Sequence, residues 1–325
     1  MQEQASQSKA NFWARRRYLA AATALGVGGP AWSLGLAGTA ASAAPNKSAN
    51  EMTVRHDMQP MLGEEDSFAL AVLTLLLNKT VASHGPYRFD AVAPRDNITQ
   101  SRTMLELRSG ELDVVASMNS RAREADGLQV RGCLRRGLNG IRLPICLASR
   151  QAEFEDVQNL AQARRYSIAQ VAHWPDATVL EANAWRVQRI PKLSIFQAML
   201  ERRRFDLFAL ASDEAYGIVD ALPNLVVLKQ WAIAYPSTFA FMVSHKRPEL
   251  AARLRHGWRV IQADGSFEAL HDKAVGWQVR KSQLAERRWL ILDNPDQPPE
   301  SLQQDPKLWH PLVRQRLIQP LLRKA

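Results

Sequence analysis

Polar residues follow several short apolar runs of the sequence and form four clusters with binding chemistry. The clusters span residues 57–66, 117–124, 173–176 and 212–214. An arginine presents parallel charged donors that match a carboxylate, and an aspartate or glutamate pairs with an ammonium group. In an open parallel sheet, ligands bind beyond the carboxyl ends of the strands. The sequence therefore predicts a site for a small polar molecule where these runs end as strands.

Cysteine and histidine spacing gives no support for a metal site. The seven histidines and two cysteines do not form the CxxC or HxxxH pairs that supply metal ligands. A nucleophile elbow and a phosphate-binding loop are also missing from the sequence, and we expect no cofactor. Cys133 and Cys146 are separated by 12 residues near a glycine-containing turn, which fits two neighbouring strands. A disulfide is slightly favoured, with two buried free thiols as the alternative.

Composition and charge indicate a globular protein rather than a nucleic-acid-binding one. The 325 residues are 46% hydrophobic and 23% charged, with a formal net charge of +10. The length predicts two domains. The arginines are scattered, and their densest run, Arg202–Arg204, ends a predicted helix, where cations are usually solvated. We therefore expect no nucleic-acid partner.

The first 43 residues have the pattern of an export signal. Three consecutive arginines, Arg15–Arg17, precede an uncharged stretch, 18–43, that is rich in Ala, Gly and Leu and ends in Ala-Ser-Ala. The arginines are typical of a twin-arginine signal, and the general secretory route is the alternative. An uncleaved membrane anchor is disfavoured because five glycines and Pro30 make a poor spanning helix. We expect cleavage and a periplasmic location.

From residue 51 onward, short β-rich runs alternate with amphipathic helical stretches, which is the pattern of a largely parallel sheet with crossover helices. The predicted class is α/β, in two similar halves. Strands are predicted at 52–56, 87–92, 112–117, 129–136, 166–172, 185–190 and 206–212. Helices are predicted at 64–79, 99–107, 174–181, 193–203, 248–263 and 267–274. Crossing segments are predicted at 140–149 and over the stretches 225–233 and 237–244. The proline-rich tail from residue 284 is predicted to pack along the surface.

Four segments together carry a family resemblance. They run from Leu105 to Glu124, from Phe205 to Glu214, from Val243 to Ala251 and from Asp264 to Phe267. With the exported N-terminus, their order and spacing resemble family 3 of the extracellular solute-binding proteins, which are type II periplasmic binding proteins of ABC importers. The resemblance covers about residues 52–276. It implies the periplasmic-binding-protein-like II fold, with two α/β lobes, a hinge and a cleft between the lobes.

The resemblance also implies a domain division and a function. Lobe 1 would comprise residues 51–147 plus 236–283, lobe 2 residues 148–235, and a C-terminal extension residues 284–325. The expected function is non-catalytic binding of a small polar solute, with a carboxylate as one candidate group, by a monomer that delivers the solute to an ABC permease. An enzyme of the same fold, such as a dehydratase, and an orphan receptor for a membrane sensor are the alternatives. Catalysis would need an acid–base pair such as Glu64–His173 or Asp213–His173.

Two charged residues are the main site candidates that the resemblance implies. Arg123, in the loop with Ser117, Asn119 and Ser120, matches the arginine that binds the ligand carboxylate, although the spacing Ser120-x-x-Arg123 is one residue short. Arg121 is the fallback, and exposure of both arginines is the alternative.

Asp213, with Glu214 beside it, matches the acidic residue that binds the ligand ammonium group. The alternative is that Ser212 or Asp213 caps a helix.

Two further clusters complete the candidate site. Pro175 at a first helical position leaves free N–H groups for an anion, unless the Asp176 carboxylate already satisfies them. Trp174 either stacks on a ligand ring or packs against the core, and His173 beside it is a further candidate. In the first half, Asp57, Gln59 and Glu64 are candidates for binding an amine, although an acidic first turn also stabilises a helix without a ligand.

Overall fold

The computed structural model describes residues 51–58, 67–92, 99–302 and 305–323. The expected export signal, 1–43, lies outside these residues, and the segment from residue 50 to the end forms one structural unit. None of the helices in the described ranges is long and apolar enough to cross a membrane.

Twelve strands and fourteen α-helices are present in the described residues, joined by short 3₁₀ turns and one π-helical turn, Arg314–Ile318. The strands are β1 Met52–His56, β2 Tyr87–Ala91, β3 Val114–Met118, β4 Leu128–Val130, β5 Ile141–Leu147, β6 Ile168–Val171, β7 Val187–Ile190, β8 Leu207–Ala211, β9 Leu225–Val227, β10 Trp231–Ala234, β11 Phe239–Val243 and β12 Arg288–Ile291. The helices are α1 Phe68–Asn78, α2 Val81–His84, α3 Gln100–Ser109, α4 Arg121–Glu124, α5 Ala152–Glu155, α6 Leu160–Ala163, α7 Pro175–Ala182, α8 Phe196–Glu201, α9 Ala215–Val219, α10 Pro248–Ala263, α11 Ser266–Lys281, α12 Pro299–Leu302, α13 Pro311–Val313 and α14 Gln319–Leu322.

The strands form one large sheet and two small ones. The large sheet has the order β12-β10-β5-β8-β6-β7, with β9 paired to β5. The small sheets are β3-β11-β4 and β1-β2. In the large sheet β6 runs parallel to β7 and β8, whereas β5 runs antiparallel to β8 and β10. Its central strands β8 and β10 are buried along their whole length, as expected for apolar runs covered on both faces. The predicted α/β class is therefore confirmed.

Helix α1 illustrates how the sequence forms and positions an element. The hydroxyl of Ser67 accepts a hydrogen bond from the Leu70 N–H and caps the first turn. Apolar residues at helical spacing then turn one face to the core: Phe68, Val72, Leu73, Leu76 and Leu77. Helix α10 packs on that face, and a Cβ at its Gly257 would lie 2.9 Å from the Leu76 carbonyl oxygen. Glycine at this position therefore allows the two helices to approach closely. The predicted start of α1, residues 64–66, lies outside the described residues.

The C-terminal tail is part of the fold, so the prediction that it packs along the surface is wrong. Its strand β12 pairs in parallel with β10 and forms one edge of the large sheet. Farther along, Trp309 and Val313 are buried against Gly137. Prolines stand at the first or second position of the short helical turns in the tail, and the apolar residues between them still reach the core.

One strand bears on the expected lobe limits. Strand β5 was expected in the first segment of lobe 1, residues 51–147. It pairs with β8, β9 and β10 of the large sheet. The large sheet therefore begins before the expected boundary.

The disulfide prediction is also wrong, because Cys133 and Cys146 are both free and buried. Strand β4 ends at Val130, so Cys133 lies in the following loop rather than on a strand beside Cys146. The Cys133 sulfur instead accepts a hydrogen bond from the Gly137 N–H at 3.1 Å. The two thiols also belong to different apolar clusters. Burial raises the pKa of Cys133 to about 11 and that of Cys146 to about 12, so both thiols stay protonated near neutral pH.

Candidate functional site

A pocket of about 180 Å³ lies where strands β1 and β3 end. Its polar wall combines groups from several elements: Asp57 after β1, Gln100 and Thr103 of α3, Ser117 of β3 and Arg135 after β4. The rest of the wall is apolar and includes Phe68, Leu134 and Phe239. A mostly apolar cleft with a few convergent polar groups is the usual form of a small-molecule site. Its volume is below the roughly 300–1,000 Å³ of pockets for drug-sized ligands, so it suits a small molecule.

Arg123 lies directly behind this pocket. Ser120 caps the short helix α4 by accepting a hydrogen bond from the Arg123 N–H at 3.3 Å. The Arg123 guanidinium donates to the Ser117 hydroxyl, to the Met118 carbonyl at 3.0 Å and to Gln100 Oε1 at 2.7 Å. Ser117 and Gln100 line the pocket, whereas Arg123 itself does not. It also borders a shallow groove on the surface, beside Asp126.

The charge of Arg123 has no ionic partner. All three acceptors of its guanidinium are neutral, and no carboxylate of the described residues forms a salt bridge with it. Burial lowers the pKa of Arg123, an effect that the negative charges of Asp176 and Asp126 only partly oppose. A half-buried guanidinium without a carboxylate is suited to binding an anion.

Asp57 presents the opposite charge to the same pocket. Its carboxylate accepts a hydrogen bond from the Thr103 hydroxyl at 3.2 Å and forms no salt bridge within the described residues. Burial raises the pKa of Asp57, and the nearby Glu106 adds to the shift. A cation that entered the pocket would stabilise the ionised form of this carboxylate.

Asp213 and Glu214 are already occupied by Arg135. Arg135 donates to both oxygens of Asp213, at 2.8 and 2.5 Å, and to Glu214 at 3.1 Å. Burial raises the pKa of Asp213, although the charge of Arg135 opposes this shift. Helix capping does not explain the pair, because the N-cap of α9 is Glu214 and no side chain caps it. Asp213 was expected to bind a ligand ammonium group, but in the structure both of its oxygens accept from the Arg135 guanidinium.

A second arginine extends this cluster into the core. Arg142 of β5 donates to Glu214 at 3.3 Å, to the Tyr235 hydroxyl at 3.0 Å and to Asp176. Tyr235 in turn donates its hydroxyl proton to Asp176. Burial acts to lower the pKa of Arg142, but the negative charges of Asp176 and Glu214, together with the hydrogen bond to the Tyr235 hydroxyl, outweigh it and raise the pKa. The Asp176 carboxylate therefore binds Arg142 and Tyr235, and helix α7 has no side-chain cap hydrogen bond among the described residues.

The remaining candidates are distributed around these groups. Buried Asn119 donates to Glu124 at 2.9 Å, while its side-chain oxygen has no hydrogen-bond partner. His173 is exposed. Trp174 is half-buried and packs against the core, which is the second of the two placements considered for it in the sequence. Arg121 is exposed. The candidates Gln59 and Glu64 lie outside the described residues.

Sequence reasoning missed three members of the site: Arg135, Arg142 and Tyr235. A signal was present for Arg142, because it interrupts the apolar run of β5, and a charge in a buried strand requires ionic partners. Arg135 gave no comparable signal, because its partner Asp213 is 78 residues away in the sequence. Groups of three His, Cys, Asp or Glu side chains that could hold a metal ion are not found in the described parts of the chain.

Comparison with solved structures identifies the fold of the chain. The protein Tv2483 bound to L-arginine matches with a TM-score of 0.51 and 15% identity, over 70% of this chain and 91% of that one. A Salmonella typhimurium periplasmic binding protein with high arginine specificity matches with a TM-score of 0.50 and 10% identity, over 70% of this chain and all of the other. The chain has the type II periplasmic-binding-protein fold.

An ancestral arginine-binding protein bound to glutamine shares this periplasmic-binding-protein fold, with a TM-score of 0.50 and 12% identity over 70% of this chain and 98% of that one. No family model matches the chain, and no curated protein sequence matches it significantly. At these identities the comparisons support the fold that the sequence resemblance predicted.

Proposed function

We propose that the protein binds a small polar solute, carrying both a carboxylate and a cationic group, in the pocket beside β1 and β3. The observation that carries this proposal is the pair of uncompensated charges there. Within the described residues, Arg123 donates to neutral acceptors, and Asp57 accepts from the Thr103 hydroxyl and forms no salt bridge. Two opposite charges at one mostly apolar pocket suit a zwitterion. The fold supports solute binding, because proteins that share it are described as bound to arginine or glutamine.

The solute carboxylate binds Arg123 in this proposal. Its two oxygens replace Ser117 and Gln100 as acceptors of the guanidinium, which exchanges neutral hydrogen bonds for charged ones. The displaced Ser117 hydroxyl and Gln100 amide remain at the pocket wall and can bond to the solute. The cationic group binds Asp57, which takes the part that the resemblance gave to Asp213.

Binding without catalysis fits the placement of the candidate acid–base residues. Asp213 is held by Arg135, whereas its expected partner His173 is exposed. A dehydratase-like reaction at this pair has no support from that geometry. We propose a periplasmic location after removal of residues 1–43, two lobes with limits near those expected, and delivery of the solute to an ABC permease. A membrane sensor is the alternative recipient.

A ligand screen tests the proposal. The melting temperature of the purified protein is measured with amino acids, polyamines, dicarboxylates and aromatic acids, and calorimetry follows each solute that raises it. A solute that binds only the folded protein raises its stability by mass action. We expect a zwitterionic solute to stabilise the protein, and polyamines and dicarboxylates to do so less. Stabilisation by none of these classes would contradict the proposal.

Replacement of Arg123 identifies the carboxylate contact. Arg123→Ala should weaken binding of the selected solute about 10- to 100-fold, because a hydrogen bond to a charged group contributes about 1.5–3 kcal/mol. Arg121→Ala is the matched control, since it removes an exposed arginine from the same helix. Equal effects of the two replacements, or none for Arg123→Ala, would rule out this contact.

A further inference from the structure

Arg135 occupies a position that connects the solute pocket with two sheets. It follows strand β4 of the small β3-β11-β4 sheet, and its carboxylate partners follow strand β8 of the large sheet. The side chain lines the pocket, and its guanidinium lies 5.7 Å from the centre of the Phe239 ring. Arg135 therefore presents the same chemistry to Asp213 and Glu214 as a guanidinium compound entering from solvent would.

The charge balance of the cluster depends on this side chain. Among the described residues, the three carboxylates Asp176, Asp213 and Glu214 contact the two guanidinium groups of Arg135 and Arg142, which is one negative charge in excess within that set. Without Arg135 the excess would increase to two, and Asp213 would lose both of its charged donors. Only 3% of Asp213 is exposed, so water would compensate for that loss poorly.

We propose that Arg135 is a specificity-determining residue, which acts as an internal guanidinium ligand of Asp213 and Glu214. It excludes an external cation from these carboxylates, so among the described residues that line the pocket Asp57 is the carboxylate left for the cationic group of a solute. This inference rests on the proposed function, in that the pocket admits a solute. Removal of Arg135 converts Asp213 and Glu214 into a subsite for guanidinium compounds, with the Phe239 ring on one side.

Chemical rescue tests this role. Arg135→Ala should melt at a lower temperature than the wild type, and millimolar methylguanidinium should raise its melting temperature by several degrees in a saturable manner. Methylammonium at equal ionic strength should have a smaller effect, because it lacks the planar pair of donors. Both compounds should stabilise the wild type less than the variant, because Arg135 already occupies Asp213 and Glu214 there and any binding at Asp57 is common to both proteins.

Arg142→Ala is the matched control, because Arg142 pairs with the same carboxylate cluster but does not line the pocket. Methylguanidinium should not rescue this variant. Absence of rescue in Arg135→Ala, or equal rescue in both variants, would show that Arg135 is an ordinary buried ion-pair partner. If Arg135→Ala does not fold, the double variant Arg135→Ala, Glu214→Gln restores the original charge excess and keeps Asp213. Failure of that variant to fold with methylguanidinium present would also overturn the proposal.

The two proposals fail in different ways. If the wild type binds no zwitterionic solute, the proposed function fails, but rescue of Arg135→Ala by methylguanidinium does not depend on that solute. If rescue fails while wild-type binding still requires Arg123, only the role of Arg135 is overturned.

Discussion

Two neighbouring regions of the protein use the same residue types in different ways. In the cluster around Asp213, each guanidinium contacts carboxylates, and almost every side chain is buried. Beside the pocket, Arg123 and Asp57 carry opposite charges but do not pair with each other or with another charged group in the described residues. In the first region the charged side chains neutralise each other, whereas in the second they contact neutral groups, and our proposal assigns them to a solute.

This difference in pairing predicts that the charges of the cluster contribute to stability and that the charges beside the pocket contribute to solute binding. Removing one partner from a buried ion pair leaves the other charge uncompensated in a medium of low polarity. Removing a guanidinium that contacts only neutral groups leaves no such charge. Mutations in the cluster should therefore reduce the free energy of unfolding several times more than mutations at the pocket. Mutations at the pocket should mainly reduce the affinity for the solute.

The largest effect is expected for Arg142→Ala. The variant leaves Asp176 and the Tyr235 hydroxyl without their buried guanidinium donor, and the cost should be about 3–5 kcal/mol of unfolding free energy. Urea denaturation measures this loss as a lower midpoint. Arg189→Ala removes an exposed ion pair with Glu181 and should cost less than about 1 kcal/mol. Similar losses in both variants would show that burial of the Arg142 ion pairs adds nothing to their contribution to stability.

A smaller effect is expected at His271, which is buried and neutral and whose Nε2 has no hydrogen-bond partner among the described residues. Burial lowers the pKa of His271 to about 3, and the charges of Arg136, His310 and Arg135 contribute to the shift. In the unfolded chain the pKa is about 6.5, so the unfolded state binds a proton first as the pH falls. Stability should therefore decrease below about pH 6.5, by about 3 kcal/mol at roughly pH 4.5.

His271→Phe should remove this part of the acid sensitivity. The ring packs beside Phe68 and Phe267, so phenylalanine keeps the apolar contacts. Urea denaturation at neutral and acidic pH measures the difference between the variant and the wild type. The same loss in both proteins on acidification would show that other groups cause it.

At the pocket, Asp57→Asn should reduce the affinity for the cationic group about tenfold at neutral pH, which corresponds to about 1.4 kcal/mol. Burial raises the pKa of Asp57, so in the wild type the affinity should fall on acidification before an ordinary aspartate would protonate. Calorimetric titrations across the acidic range should show this fall in the wild type and a flatter profile in Asp57→Asn. Identical profiles would exclude Asp57 as the cation partner.

The smallest effect is expected for reduction of the thiols. Dithiothreitol should leave the melting temperature unchanged, because Cys133 and Cys146 are free in the structure. A thiol reagent added to the native protein should react slowly at both positions, since burial keeps the thiolate populations low. A marked decrease in melting temperature on reduction would indicate a disulfide.

The sequence predicted the regular elements better than the charge pairing. Apolar periodicity located β1, β3, β8 and α10 within a few residues, since these elements bury a continuous strip of side chains. Asp57 was a candidate because it follows a predicted strand, and Arg123 because the family resemblance implies a carboxylate-binding arginine there. The pairing of Asp213 with Arg135 joins residues that are 78 positions apart, and local patterns carry no information on such a contact. For the same reason, the spacing of the cysteines did not reveal that Cys133 lies in a loop and packs in a different apolar cluster from Cys146.

The position of β12 has a consequence for how the chain folds as it is made. Residues 288–291 complete the edge of the large sheet next to β10, and Trp309 covers Gly137. A ribosome that has translated only the first 280 codons holds a chain whose β10 edge is still open and whose core near Gly137 is uncovered. The large sheet and the core near Gly137 are therefore completed only after residues 288–291 and Trp309 have been synthesised.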